Sequence, residues 1–296
     1  MSTTRSATLG GNTESGGSVF SWLAWVGREA LTLVSYLGAL AALVPRAGLG
    51  LLEFPQGVRG WLRSVNRELV WQLGMGLPLV ALVHVGIGSF LAMQAYFGGT
   101  FVDGTGAVVG VGLIRNVAPQ MACLTLAGIL AAQLVPQFRR ASRELHQSTP
   151  PDRRDVGRRE LDRRIGFVLL ASCVAGVVLS IWGAVVGTIV GWRVGVSMMG
   201  VTTHDFFLMF WEMLWWRDVV GLALKGVGFG LASGIFAVHE GLGDPLGQTP
   251  DSIPTAACRA ACLAAFTILV INSSWFLLAY HAGPMFGPTL LTPPTT

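Results

Sequence analysis

Apolar residues gather in five long runs, each near the roughly 20 residues that a helix needs to cross a bilayer. They cover residues 70–94, 107–135, 165–190, 219–238 and 260–280. The first is interrupted by Pro78 and His84, and the third and fifth carry no charge. The second carries one charge, Arg115, with Asn116 and Pro119 close behind it. A cation at that depth costs several kcal/mol and is usually found against a partner or a wet cavity. Proline also removes a backbone donor, which lipid-exposed backbone does not tolerate. This part of the helix is therefore expected to be buried in protein or to line a cavity. The alternative is an arginine that snorkels to the interface on its long stem.

The fourth run carries Lys225 in its first half. Glycines recur at helical spacing, as at Gly183, Gly187 and Gly191 or at Gly226 and Gly230. Small residues four apart let helices approach closely, so the runs predict a compact bundle. The fold expected is an all-α integral membrane protein, a bundle of about five transmembrane helices.

The chain before residue 70 is less regular. Residues 1–18 are polar and rich in Gly, Ser and Thr, the composition of a disordered tail. No cleavable apolar core follows at signal-peptide distance. Residues 19–44 are apolar but split by Arg28 and Glu29, and Pro45 follows them. With Trp22 and Trp25 near its start, this stretch reads as an N-terminal amphipathic helix lying in the interface. A sixth span is the other possibility. The division expected is a tail at 1–18, an interfacial helix and linker at 19–69, a membrane domain at 70–280, and a C-terminal tail at 281–296.

Composition supports this reading. Hydrophobic residues make up 52% of the chain and charged residues 12%, about half the charged share of soluble domains. A net charge of +4 does not indicate nucleic acid, because the basic residues sit in a few short segments. Residues 139–164 alone contain nine arginines, whereas 95–106 contain no basic residue. The positive-inside rule puts 139–164 in the cytoplasm and the C-terminal tail outside. The aromatic run FFLMFWEMLWW within 191–218 then lies at the far interface. Arg139, Arg143 and Glu144 can continue the second span as a solvated helix until Pro150 and Pro151 end it. A second short helix is expected from Asp152 to Arg164, with acids paired to arginines three or four residues away.

Candidate chemistry is sparse. The sequence has no GxxxxGK[ST], HExxH or GxSxG pattern. His84, His204, His239 and His281 fall on different segments and make no metal cluster. Cys258 and Cys262 share a helix face without other ligands and read as packing residues. The chain is not expected to be an enzyme, and no cofactor or metal is called for.

Four strings occur in a telling order. LIRNVAPQMACLTLAGI at 113–129 resembles the LLRELGPVxxALLxAGR pattern of MlaE/YrbE-type permeases. LAMQAYF at 91–97 resembles the end of that family's first spanning helix, and DVVGLALKGVGFG at 218–230 resembles its lysine-bearing DLxxxxIKSVVFG helix. HEGLGDPLGQTPDSIPTAACRAA at 239–261 is similar to its short cytoplasmic turn and the start of its last helix. The chain departs from the family where Asn116 replaces a glutamate, Ile129 an arginine and Asn272 an aspartate. Its 139–164 segment is rewritten at nearly unchanged length.

The resemblance implies the permease subunit of an ABC-type transporter for phospholipid or another lipid. It implies an inner (cytoplasmic) membrane location, a homodimer, a partner ATPase and a periplasmic MCE-domain protein. Arg115, Asn116, Lys225 and Asn272 are then candidates for the lipid-binding cavity. With two acids replaced by amides, that cavity is expected to be net positive and suited to an anionic headgroup. Arg139, Arg143 and Glu144 are candidates for ATPase docking, against the alternative that the arginines only set orientation and bind headgroups. A degenerate, non-transporting homologue, acting as scaffold or as half of a mixed dimer, is the alternative function. An ion-coupled carrier is weaker, since no inverted repeat is evident.

Overall fold

The computed structural model describes residues 17–52, 57–97, 106–147, 150, 153–243 and 252–281. Most of the N-terminal tail, the C-terminal tail beyond 281, Pro151, Asp152 and the 244–251 part of the proposed cytoplasmic turn lie outside the described residues. Among these residues seven α-helices follow one another: α1 (Gly17–Leu52), α2 (Gly57–Phe97), α3 (Ala118–Gln147), α4 (Arg154–Met199), α5 (Thr203–Met213), α6 (Trp216–Leu242) and α7 (Ile253–His281). Two π-helical stretches, Gly106–Val111 and Leu113–Val117, lead into α3. The architecture is an all-α, multi-pass membrane protein.

Among the described residues six helices are long and apolar enough to cross a membrane, the five expected and one more. The additional one is Ala24–Leu52, the stretch expected to lie in the interface. Neither Arg28 and Glu29 nor Pro45 breaks it, and α1 runs through all three. Prolines also stand inside α2 (Pro78) and α3 (Pro136). Membrane helices accept proline because neighbouring groups satisfy the freed carbonyls.

The described residues fall into two compact units, divided between Ala42 and Leu43. In the first, α1 presents Trp22 and Trp25 as exposed residues, and Thr32 Oγ1 donates to the Arg28 carbonyl. In the second, α3 and α4 are central. Leu126, Leu130, Leu134 and Phe138 of α3 pack with Ile165, Leu169 and Leu179 of α4 and with Ala237 and Val238 of α6. Cys123 and Ala127 of α3 meet Phe229 of α6 and Ala264 and Ile268 of α7. Cys258 and Cys262, by contrast, are exposed on α7. They are not interior packing residues, because the helical phase turns them away from α3 and α6.

At 46 residues, α4 is about 70 Å long, over twice the hydrocarbon thickness, so it must project well beyond the membrane. The short helix expected at Asp152–Arg164 is simply its first turns, and Arg163 pairs with Glu160 there. Gly200, at φ 67°, stops α4 in the left-handed conformation that glycine adopts without strain. Thr202 then caps α5, its Oγ1 accepting from the Asp205 N–H at 3.1 Å. Between α4 and α6 the contact is backbone to backbone. A Cβ on Gly226 would come within 2.8 Å of Val177 Cα, and one on Gly230 within 3.2 Å of Cys173 Cα. The Gly226 and Gly230 spacing is thus the seam of this crossing, whereas Gly183, Gly187 and Gly191 face His84, Leu113 and Val109 instead.

Candidate functional site

Arg115 lies in the second π-helical stretch, and its partner comes from the start of α6. Nε donates to Asp218 Oδ1 at 3.0 Å and Nη2 to Asp218 Oδ2 at 3.1 Å, while Nη2 also reaches the Met213 carbonyl at 3.0 Å. The two-pronged geometry matches a guanidinium to a carboxylate. Asp218 is 1% exposed and also accepts from the Trp215 N–H at 2.9 Å, closing the first turn of α6. Lys225, two turns further along α6, is 2% exposed and donates from Nζ to the Arg115 carbonyl at 2.5 Å. A π-helical backbone leaves carbonyls out of the usual ladder, and such bulges recur at functional sites.

Asn116 and Asn272 are joined directly, with Asn272 Nδ2 donating to Asn116 Oδ1 and to Gln120 Oε1, the latter at 2.9 Å. Asn272 Oδ1 is buried and has no hydrogen-bond partner among the described residues. All four residues singled out in the sequence are thus linked in two adjoining clusters across the π-helical stretch, α6 and α7. The expectation of a net positive cavity is only half met. Asp218 neutralises Arg115, so Lys225 is the remaining cation of the group. Asp218 closes the 191–218 segment that the sequence places at the far interface. An arginine inside an apolar run demands a counter-ion, and Asp218 is the acid of that segment that adjoins an apolar run, which is the signal that could have found it.

Beside this network lies an apolar cavity of about 380 Å³. Its walls include Ile114, Ala184, Phe207, Phe210, Val219 and Leu222. Ile114 and Val219 are the chain neighbours of Arg115 and Asp218. None of the four polar candidates lines it; Arg115 follows the lining Ile114 in the chain, and Lys225 lies one helical turn beyond the lining Leu222.

The other end of the bundle holds a second ionic cluster. Arg139 Nη2 donates to the Glu240 carbonyl at 3.0 Å, and Arg259 Nε donates to Glu240 Oε2 at 2.7 Å. This ties the end of α3 to the end of α6 and the start of α7. Arg139 and Glu240 are buried, whereas Arg143 and Glu144 are exposed on α3. Of the three docking candidates, the last two are therefore the ones exposed on the surface. Glu240 was missed in the sequence because nothing local distinguishes it from an ordinary helix-end acid.

The family model described as Permease MlaE matches residues 156–278. That stretch holds α5 and α6 with nearly all of α4 and α7. It contains Asp218, Lys225, Glu240, Arg259 and Asn272. Arg115, Asn116 and the three docking candidates lie before it.

Proposed function

We propose that this chain, an MlaE-type permease over residues 156–278, is the membrane subunit of an ABC-type transporter that moves phospholipid between membranes. Its partners in this reading are a second copy of the chain, an ABC ATPase and a periplasmic MCE-domain protein, and its home is the inner membrane. ATP hydrolysis belongs to the partner subunit, which docks on the cytoplasmic segment near Arg143 and Glu144. The observation that carries the reading is the polar network set against an apolar cavity. Lys225 supplies the charge that Asp218 does not neutralise and the orphaned Asn272 oxygen an acceptor, while the Ile114–Leu222 side offers acyl-chain contact. A lipid needs both within one molecular length.

The degenerate, non-transporting reading has its own support. Two positions that are acidic in the family are amides here and bond one another. The two readings separate on purification of the native complex with identification of its proteins and lipids. Transport expects an ATPase, an MCE protein and bound phospholipid together. Recovery of the chain with an intact second permease and no phospholipid of its own would leave the scaffold reading standing.

A further inference from the structure

A second cavity, of about 370 Å³, opens at the arginine-rich end of the bundle, away from the Arg115 network. It is bounded by Arg46 of α1, Ser142 and His146 of α3, Arg158 of α4, and Gly243 just past α6. That volume is in the range of small-molecule sites.

Its electrostatics are one-sided. Arg46 is paired with Asp162, Nη2 to Oδ1 at 2.6 Å. Arg158 has no hydrogen-bond or ion-pair partner among the described residues and stands exposed at the rim. Gly243, at φ 46°, has no side chain to shield what lies behind it. A Cβ there would meet Arg139 Cζ at 2.9 Å, so the Arg139 guanidinium abuts this wall. Arg139 Nε is buried and lacks a partner among the described residues. Of the nearby acids, Asp162 is engaged by Arg46, Glu240 by Arg259 and Glu160 by Arg163, while Glu144 and Asp155 stand exposed among more numerous arginines. Cation is left in excess.

The surroundings identify the kind of anion. Arg46 belongs to a helix whose outer face is apolar and bare: Val44, Leu49 and Leu52 are 51%, 67% and 71% exposed. In a membrane protein such a face is covered by acyl chains. Leu145, Leu161 and Leu242 line the cavity's inner side. A molecule with a phosphate at Arg46 and Arg158 and hydrocarbon along α1 satisfies both surfaces. A free inorganic anion satisfies one.

We propose that this cavity binds the phosphate of an anionic phospholipid from the cytoplasmic leaflet, with Arg158 and Arg46 as its charge-assisted donors and the Val44–Leu52 face carrying the acyl chains. The site is separate from the transport network and does not depend on whether that network moves lipid.

The test uses the full chain in nanodiscs of phosphatidylcholine with or without phosphatidylglycerol, reading retained phosphatidylglycerol by native mass spectrometry. Arg158→Gln removes an exposed, unpartnered charge and leaves the fold alone. Arg159→Gln, on the same turn but outside the cavity, makes the same change in net charge. Arg158→Gln is expected to lower retained phosphatidylglycerol about tenfold, the loss of one charge-assisted contact. Arg159→Gln should leave it within twofold. Equal loss in both variants would mean diffuse attraction to a basic segment, and the proposal fails. It fails also if neither variant changes retention. Inorganic phosphate forms the other arm. If it displaces bound phosphatidylglycerol fully at millimolar concentration, and binds equally well without lipid, the site takes a free anion and the lipid assignment is overturned.

Discussion

The Arg115–Asp218 pair makes an unequal demand on its two members, and that inequality can be measured. Asp218 has a fully buried side chain, whereas that of Arg115 keeps 30% of its surface. Arg115→Met strands a carboxylate with its charge desolvated, and breaking a buried pair this way costs about 3–5 kcal/mol. Asp218→Asn strands an arginine that can still turn toward water and keeps an oxygen for the Trp215 N–H. Its cost should be lower, about 1–3 kcal/mol. The double variant removes both charges and should recover most of the loss. A coupling of about 2 kcal/mol or more is expected, within the range for residues in one network. Stability of the four proteins is read by reversible denaturant titration in mixed micelles, with tryptophan fluorescence as the signal. Two results would refute the reasoning. One is Asp218→Asn costing as much as Arg115→Met; the other is additivity in the double variant.

Three further outcomes follow from the same structure. Lys225→Met removes a buried ammonium and a single contact to the Arg115 carbonyl, so its stability should stay within about 1 kcal/mol of the parent, while co-purifying phospholipid falls severalfold; unchanged lipid content by mass spectrometry would assign Lys225 a purely structural role. Gly230→Val should lose well over the roughly 1–3 kcal/mol typical of overpacking, because even a Cβ there crowds Cys173, and a monodisperse, normally stable variant would contradict the α4–α6 seam. Reporter fusions at Arg153 and Thr295 should fall on opposite sides of the membrane, with 153 cytoplasmic, and a tag at residue 2 should be cytoplasmic if α1 lies in the interface; an external tag would make Ala24–Leu52 a sixth span.

Helix type and approximate number were legible from hydropathy alone, because lipid forces backbone groups to pair within each segment and leaves a long apolar run little choice. The five runs all reappear inside longer helices. Their ends were not legible. The residues that extend α4 from 165 back to 154 are charged, and a helix outside the membrane carries no hydropathy signal. Pro45 and the Arg28–Glu29 pair read as interruptions of the apolar stretch, yet α1 passes through them. Local disfavour in a helix is a cost of a few kcal/mol at most, and the rest of a 36-residue helix outweighs it.

The site divides in the same way. Arg115, Lys225, Asn116 and Asn272 stood out because a polar group in an apolar run is expensive wherever it lies. That expense is a one-residue property, so the sequence determined that each must be partnered. Which partner it has is a property of pairs over a hundred residues apart, and only the packing of α3, α6 and α7 decided it. Packing gave Asp218 to Arg115, the Arg115 carbonyl to Lys225, and Asn272 to Asn116. Packing also buried Arg139 while leaving Arg143, one turn on, exposed. Two arginines of equal hydropathy differ there because the phase of α3 turns one toward Glu240 and the other toward solvent.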